Sequence, residues 1–273
     1  MIKEITKKVD ALPPLPKTLI ELQEFKKQLV QEVHQLLSIL DKDPLIMATL
    51  LKVANSAMFG FRNKVETTKK SVELIGINFT LSIAFGSAIK SNLNTSLDAY
   101  GIDADKFLDL SSLSSNLLKT WFKNGDLHLV NGLLLPVFLQ DAGQFILADV
   151  AKEQGVEAKF LEKIKNDPII IPKIEKEYFN ATSSLVSAMI FEQWNLDDNL
   201  VSYIKGVDAL ENGLKVEDIH ARILYIIKIL VNPIDPLGDK VVNKALALAK
   251  EYGLDYVALE KAISVMEDRI LDA

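Results

Sequence analysis

Apolar residues recur through most of this chain at the three-to-four-residue spacing of helices buried along one face. Over 29–40 they include Leu29, Val30, Val33, Leu36, Leu37 and Leu40, the period of an amphipathic helix. Asp43-Pro44 predicts the next helix start, with Asp43 as N-cap and Pro44 in the first helical position. That helix is expected to run through LIMATLLKVANSAMF and end at Gly60. A short helix is expected over 67–74, closing near Gly76. The segment 79–90, apolar but interspersed with Ala, Ser and Gly, should pack closely in the interior. Further helices are expected at 104–123, 133–153, 157–166, 181–193, 198–210, 216–231, 239–251 and 255–271. Asn232-Pro233 and Asp235-Pro236-Leu237-Gly238 predict a turn before the last pair. The one β-like stretch, Ile169-Ile170-Ile171 between Pro168 and Pro172, is short enough to be an extended connector. No Ser/Gly-rich linker, low-complexity tract or repeat interrupts the pattern. The expected fold is therefore all-α, with many short helices around one or two cores.

Composition narrows the class. The chain has 273 residues, 49% apolar and 25% charged, which suits one large domain or two small ones and excludes wholesale disorder. Cysteine is absent, so there is no disulfide, thiolate metal site or cysteine nucleophile. No apolar stretch is expected to reach the roughly 20 residues that cross a bilayer. The opening MIKEITKKVDALPPLP lacks the apolar region of a secretory signal, and the expectation is a cytoplasmic protein without membrane association. Net charge is −6, unevenly spread. Residues 1–95 hold 13 basic and 9 acidic side chains, net +4, and residues 96–273 hold 18 and 28, net −10. An acidic whole argues against a non-specific nucleic-acid binder. The basic N-terminal excess is either a solvated surface or an attraction for an acidic partner.

Most catalytic signatures are missing. The 12 glycines are never closer than seven positions apart, which excludes the dinucleotide fingerprint and the Walker A loop. There is no G-x-S-x-G elbow, H-E-x-x-H pair or EF-hand loop. Ser111, Ser112, Ser114 and Ser115 have no neighbouring histidine and read as small residues at a close helix contact. His34, His128 and His220 stand alone, none with a ligand beside it.

The N-terminal third carries a recognisable pattern: LPPLP at 12–16, ILDKDPLIMATLLKVANSAMFG at 39–60 and VETTKKSVELIGINFTLSIAF at 65–85. It resembles the HDOD family, the HD-related output domain of bacterial signalling proteins, with ANSAMFG the most specific piece. The likeness extends more weakly through WNLDDNLVSYI at 194–204. It implies an all-α, multi-helical HD-domain-like bundle with an N-terminal helical module at 1–95, a degenerate HD-like core at 96–210 and C-terminal helices at 211–273 packed on it. The HD superfamily's metal-site positions fall on Ser111, Gln140, Asp141, Ser183, Val207, Asp208 and Arg222. Only Asp141 keeps the central dyad, and the dipeptide His-Asp occurs nowhere. Arg222 puts a cation where a carboxylate ligand would stand. The resemblance thus implies a phosphohydrolase scaffold with no metal and no cofactor.

Asp141 has three readings: a buried relic satisfied by a base such as Arg222 or by hydroxyls, part of a small-ligand pocket, or an exposed turn residue. Asn55, Ser56, Phe59, Gly60 and Phe61 have two: local support of a helix end, or a recognition surface anchored by Phe59 and Phe61. Trp121 and Trp194 are expected in the core or at its rim, each needing a partner for its indole N–H. The leading expectation is a non-enzymatic regulatory module that binds a protein partner in a bacterial signalling pathway. Its helical pattern fills the whole length, so it would act as a stand-alone adaptor. The alternatives are a nucleotide or small-molecule sensor, or a metal-dependent phosphohydrolase in which a histidine meets several of Asp141, Asp208 and Glu175.

Overall fold

Side-chain caps set where the helices begin. In the computed structural model, which describes residues 1–61, 63–93 and 95–271, the chain opens with α1 (Ile2–Asp10), α2 (Lys17–Lys26) and α3 (Val33–Leu40). Asp43 then accepts the backbone N–H groups of Leu45 and Ile46 at 3.0 and 3.1 Å and starts α4 (Pro44–Ala54). Thr67 caps α5 (Thr68–Ile75), which leads into α6 (Ile77–Leu93). Asp103 caps α7 (Ala104–Trp121), and Asp126 caps α8 (Leu127–Leu139). There follow α9 (Gly143–Glu153), α10 (Glu157–Asn166) and α11 (Ile171–Phe179). Thr182, Asp197 and Asp218 cap α12 (Ser183–Gln193), α13 (Asp198–Glu211) and α14 (Ile219–Leu230). The chain closes with α15 (Asp239–Glu251) and α16 (Tyr256–Leu271). Each such cap satisfies otherwise orphaned donors, worth about 0.5–2 kcal/mol. No β-strand occurs among the described residues; the fold is all-α.

Several boundaries differ from the sequence pattern; α3, for one, begins at Val33 rather than Leu29, and Leu29 and Val30 are exposed. α4 stops at Ala54 rather than Gly60; at its end the backbone N–H and the side-chain amide of Asn55 both donate to the Leu51 carbonyl. A single turn of 3-10 helix, Ala57–Phe59, covers the remainder. The expected helix at 133–153 is two helices, α8 and α9, broken at Gln140-Asp141-Ala142. The Pro168–Ile170 stretch is a 3-10 turn that runs into α11. α1 and α2 escaped the pattern because they are short and strongly charged, with Ile5 and Val9 the buried residues of α1.

One apolar core runs from Ile5 to Met266. α6 lies inside it, buried continuously from Phe79 to Ile89, and packs against α4 and α8. α12 lies against α9 and α13, α13 against α14, and α16 against α7. Two glycines permit the approaches that assemble the centre. A Cβ on Gly143 would stand 2.1 Å from the Ser183 carbonyl oxygen, so α9 meets the start of α12 backbone to backbone. A Cβ on Gly206 would stand 2.5 Å from the Ala221 Cβ, which lets α13 and α14 close on each other. The segment 127–153 has the length and mean hydropathy of a membrane span, contrary to expectation, yet 89% of its apolar 18-residue window is buried against the core. Trp121 Nε1 donates to the Asp255 carbonyl at 2.8 Å, and Trp194 Nε1 donates to that of Pro13 at 3.0 Å.

Candidate functional site

The break between α8 and α9 turns Asp141 towards α14, where Lys228 reaches it. Lys228 Nζ lies 2.5 Å from Asp141 Oδ1, 3.1 Å from Ser183 Oγ and 3.7 Å from Glu211 Oε1. A third carboxylate stands behind. Glu175 of α11 is fully buried, accepting the Tyr100 hydroxyl at 2.8 Å and the Ser183 N–H at 2.7 Å. Five helices or helix ends therefore converge on one ammonium. Beside it is a cavity of about 30 Å3, lined by Asp141, Gln144, Ser183, Glu211, Tyr225 and Lys228 among others, room for a water molecule or two.

The electrostatics follow from three carboxylates sharing one cation out of water. Burial alone would push the Lys228 ammonium down; the fields of Asp141, Glu211 and Glu175 outweigh it and hold Lys228 above the usual lysine range. Burial pushes Glu175 up, opposed by Lys228 and by its hydrogen bonds to Ser183 and Tyr100. Neither Glu211 oxygen is paired in a well-formed hydrogen bond, although the buried Ser184 hydroxyl, itself unpartnered, faces it and opposes the rise of its carboxyl. Burial raises it from 4.5 to about 8, with Lys228 opposing, so it is mainly protonated at neutral pH. The arrangement can hold protons and charges; among the described residues no three His, Cys, Asp or Glu side chains are placed to hold a metal ion.

Of the seven positions carried over from the HD superfamily, Asp141 and Ser183 line this cavity. Gln140 is buried beside Asp141 with both amide atoms unpartnered. Ser111 lies inside α7, its carbonyl accepting the Ser115 hydroxyl at 3.0 Å. Val207 is a core residue. Asp208 accepts the Thr182 hydroxyl at 2.6 Å and Asn212 Nδ2 at 3.0 Å. Arg222 is not the base that satisfies Asp141. It donates to the Val216 carbonyl and to Glu217, and stacks over Tyr252. Lys228, six residues along α14, lies about 240° further round the helix and faces the other way. His34 pairs with exposed Glu32, His128 is exposed, and His220 stacks on Tyr203 at 4.4 Å.

The residues that sequence reasoning missed here are Lys228, Glu211 and Tyr100. A lysine flanked by isoleucines in IHARILYIIKIL was the available signal for Lys228. Glu211 and Tyr100 carried none.

The second candidate patch, after α4, is partly a brace. Asn55 Nδ2 donates to the Leu51 and Val65 carbonyls, both at 2.8 Å, and Oδ1 accepts the Val65 N–H at 2.7 Å. Ser56 Oγ is buried and unpartnered. Gly60 has φ +59°, the left-handed conformation that glycine tolerates best. Phe59 and Phe61 stack at 5.6 Å, half-buried, and Phe59 also meets Phe79 at 5.3 Å. They form the wall of a groove shared with α7 and α16.

Known proteins agree with this architecture. The HDOD domain model matches residues 12–209. An uncharacterised protein of Treponema pallidum is 19% identical over 206 residues, 74% of this chain; the chain spans only 38% of that protein's length. An HDOD domain protein of unknown function from Geobacter sulfurreducens superposes with a TM-score of 0.70 at 13% identity, covering 99% of this chain and 93% of its own. A Marinobacter aquaeolei chain provisionally named a signal transduction protein gives 0.68 at 18% identity, covering 95% and 58%. A Shewanella amazonensis chain provisionally named a phosphohydrolase gives 0.70 at 19%, covering 97% and 95%. With nearly three quarters of its length matched by the family model, the chain belongs to the HDOD family.

Proposed function

We propose that this chain is a non-enzymatic signal-transduction module that acts by binding another protein, in a bacterial cytoplasm. The observation that carries the reading is the Lys228 ammonium held 2.5 Å from Asp141 and 3.7 Å from Glu211. A divalent cation needs deprotonated or neutral donors converging on it. Here the one carboxylate retained from the HD dyad is already paired to a tethered cation, and a second, Glu211, favours its protonated form. That donor set does not suit a divalent ion, and no hydrolytic step is derived through one. The cavity of about 30 Å3 also favours protein binding over the nucleotide-sensor alternative, because a nucleotide needs several hundred Å3.

The test is turnover. The purified chain is incubated with p-nitrophenyl phosphate, bis-p-nitrophenyl phosphate and cyclic and linear nucleotides, with Mg2+, Mn2+, Fe2+ or Zn2+ in turn. The expected result is no hydrolysis and no stoichiometric metal by elemental analysis. Hydrolysis that disappears in Asp141→Ala would refute the reading.

A further inference from the structure

Besides its charge centre, the molecule has an open groove of about 870 Å3 where the aromatic turn after α4 meets the ends of α7 and α16. Four cations line it: half-buried Lys119 and Arg269, and exposed Lys123 and Lys261. The acid among the lining residues is Asp255, whose Oδ1 already accepts the Ala258 N–H at 2.9 Å. Among the described residues no carboxylate lies within 4.0 Å of any of the four. Elsewhere the picture is mixed: Lys8, Lys42, Lys52, Lys90, Lys163 and Lys205 each have a carboxylate partner within the chain, whereas other surface lysines such as Lys159 and Lys240 have none among the described residues. What sets the groove apart is its balance, four cations to one acid, on a protein whose net charge is −6.

Two details show that the groove is charged beyond what its own walls satisfy. Lys119 Nζ lies 5.5 Å from the Phe79 ring centroid and has no anion beside it. Burial, and then the nearby Arg269, push its ammonium down from the ordinary lysine value. An incoming carboxylate would relieve both. Between the cations lie exposed aliphatic side chains, Leu74, Val257 and Val265, and the Phe59–Phe61 stack.

We propose that this groove docks an acidic peptide segment of a partner protein, whose carboxylates meet Lys119, Lys123, Lys261 and Arg269 while an apolar side chain seats on Phe61 and Val265. The inference rests on the protein-binding reading above and names the partner's chemistry. A nucleic acid fits less well. Phe59 is flanked by Phe61 and Phe79 and has little ring face to offer a base. An acidic chain repels a long polyanion, whereas four clustered cations and aliphatic seats suit a short, mixed segment.

Fluorescence anisotropy with a labelled acidic dodecapeptide, DEEFDELEDFED, tests the assignment. Comparison probes are the same peptide with Phe and Leu replaced by Ser, and a 12-nucleotide oligothymidylate. Wild type should bind the first peptide, and lose affinity as salt rises from about 50 to about 500 mM. The double variant Lys119→Glu/Lys261→Glu should raise Kd about tenfold or more. Lys163→Glu/Lys205→Glu, elsewhere on the surface, should stay within about twofold. Phe61→Ala should weaken binding about fivefold, read only if its melting curve shows it folded; the lysine pair decides the matter if it does not. The proposal is overturned if the peptide fails to bind up to about 1 mM, if both double variants bind alike, or if the Ser peptide or oligothymidylate binds as tightly. It also falls if sedimentation shows a dimer that only the groove variant abolishes, which would assign the groove to a second copy. Absent turnover with absent peptide binding removes the groove and leaves the non-enzymatic reading standing; observed turnover removes that reading and leaves the groove to the anisotropy alone.

Discussion

Replacing Glu211 by Gln should make the protein progressively more stable than wild type as pH rises. Glu211 is fully buried and unpartnered, and faces Lys228, Asp141, Glu175 and Tyr225. Its carboxyl is raised from 4.5 to about 8 in the folded chain. In that interval the native state keeps a proton that the unfolded state releases, so stability falls as pH increases. Each pH unit of the rise is worth about 1.4 kcal/mol, giving a total of about 5 kcal/mol once pH exceeds 8. Gln keeps the size and neutrality of the protonated acid without the titration. Any constant offset from its amide leaves the slope unaffected.

Urea unfolding of both proteins at intervals from about pH 5 to about pH 9 reads the effect directly. Other titrating groups are common to both chains and cancel in the difference. The gap should be about 1 kcal/mol at the acid end and grow by about 4 kcal/mol across the range. A gap that stays flat would show that Glu211 does not titrate there. A variant that becomes less stable than wild type at high pH would show that Glu211 is ionised and that its attraction to Lys228 is stabilising, refuting the assignment of a held proton.

Asp141→Ala should destabilise the chain by about 3 kcal/mol, measured by chemical denaturation, because it removes the nearest counter-charge of a nine-tenths buried ammonium. Glu211 then ionises more readily and offsets part of the loss, so Glu211→Gln should stabilise the Asp141→Ala protein less than it stabilises wild type. Gly143→Ala should cost at least about 2–3 kcal/mol, since its Cβ meets backbone rather than a movable side chain. Asn55→Ala should cost about 1–3 kcal/mol in a thermal melt by removing the side chain that pairs with both the N–H and the carbonyl of Val65.

How much of this was legible depended on whether the cause was local. The Asp43-Pro44 start and the Asp103, Thr182 and Asp218 caps are written in neighbouring residues, and the helices after them lie within a few residues of expectation. The break at Gln140-Asp141 was not readable, because apolar spacing continues through it and the cause is the approach of α12 at Gly143. The same limit hid the site. Asp141 and Ser183 were found through family positions, but the partner of Asp141 was sought at Arg222. The choice between Arg222 and Lys228 depends on which side of α14 faces the α8–α9 turn, and the close contact of Gly206 with Ala221 helps set that side.

The same contact explains why the centre holds protons as well as charge. Drawing α13 against α14 brings Glu211 within 3.7 Å of Lys228, on a cation that already has Asp141 at 2.5 Å. Glu175 adds a third carboxylate, supported by the Tyr100 hydroxyl and the Ser183 N–H. One positive charge cannot balance three buried negatives, and water cannot make up the difference in a cavity of about 30 Å3. The carboxylate with the fewest donors must therefore carry the proton. Asp141 has the ammonium and Glu175 has two donors, which leaves Glu211, without a well-formed hydrogen bond, raised to about 8. Asp141 and Glu175 are bound within the chain and Glu211 is out of solvent, an arrangement that supports the non-enzymatic reading proposed above. What the cluster does with its charge is join the α8–α9 turn, α11, α12, α13 and α14 at one point. That makes it a fixed point of the bundle; under the function proposed above, recognition falls to surfaces such as the groove beside α16.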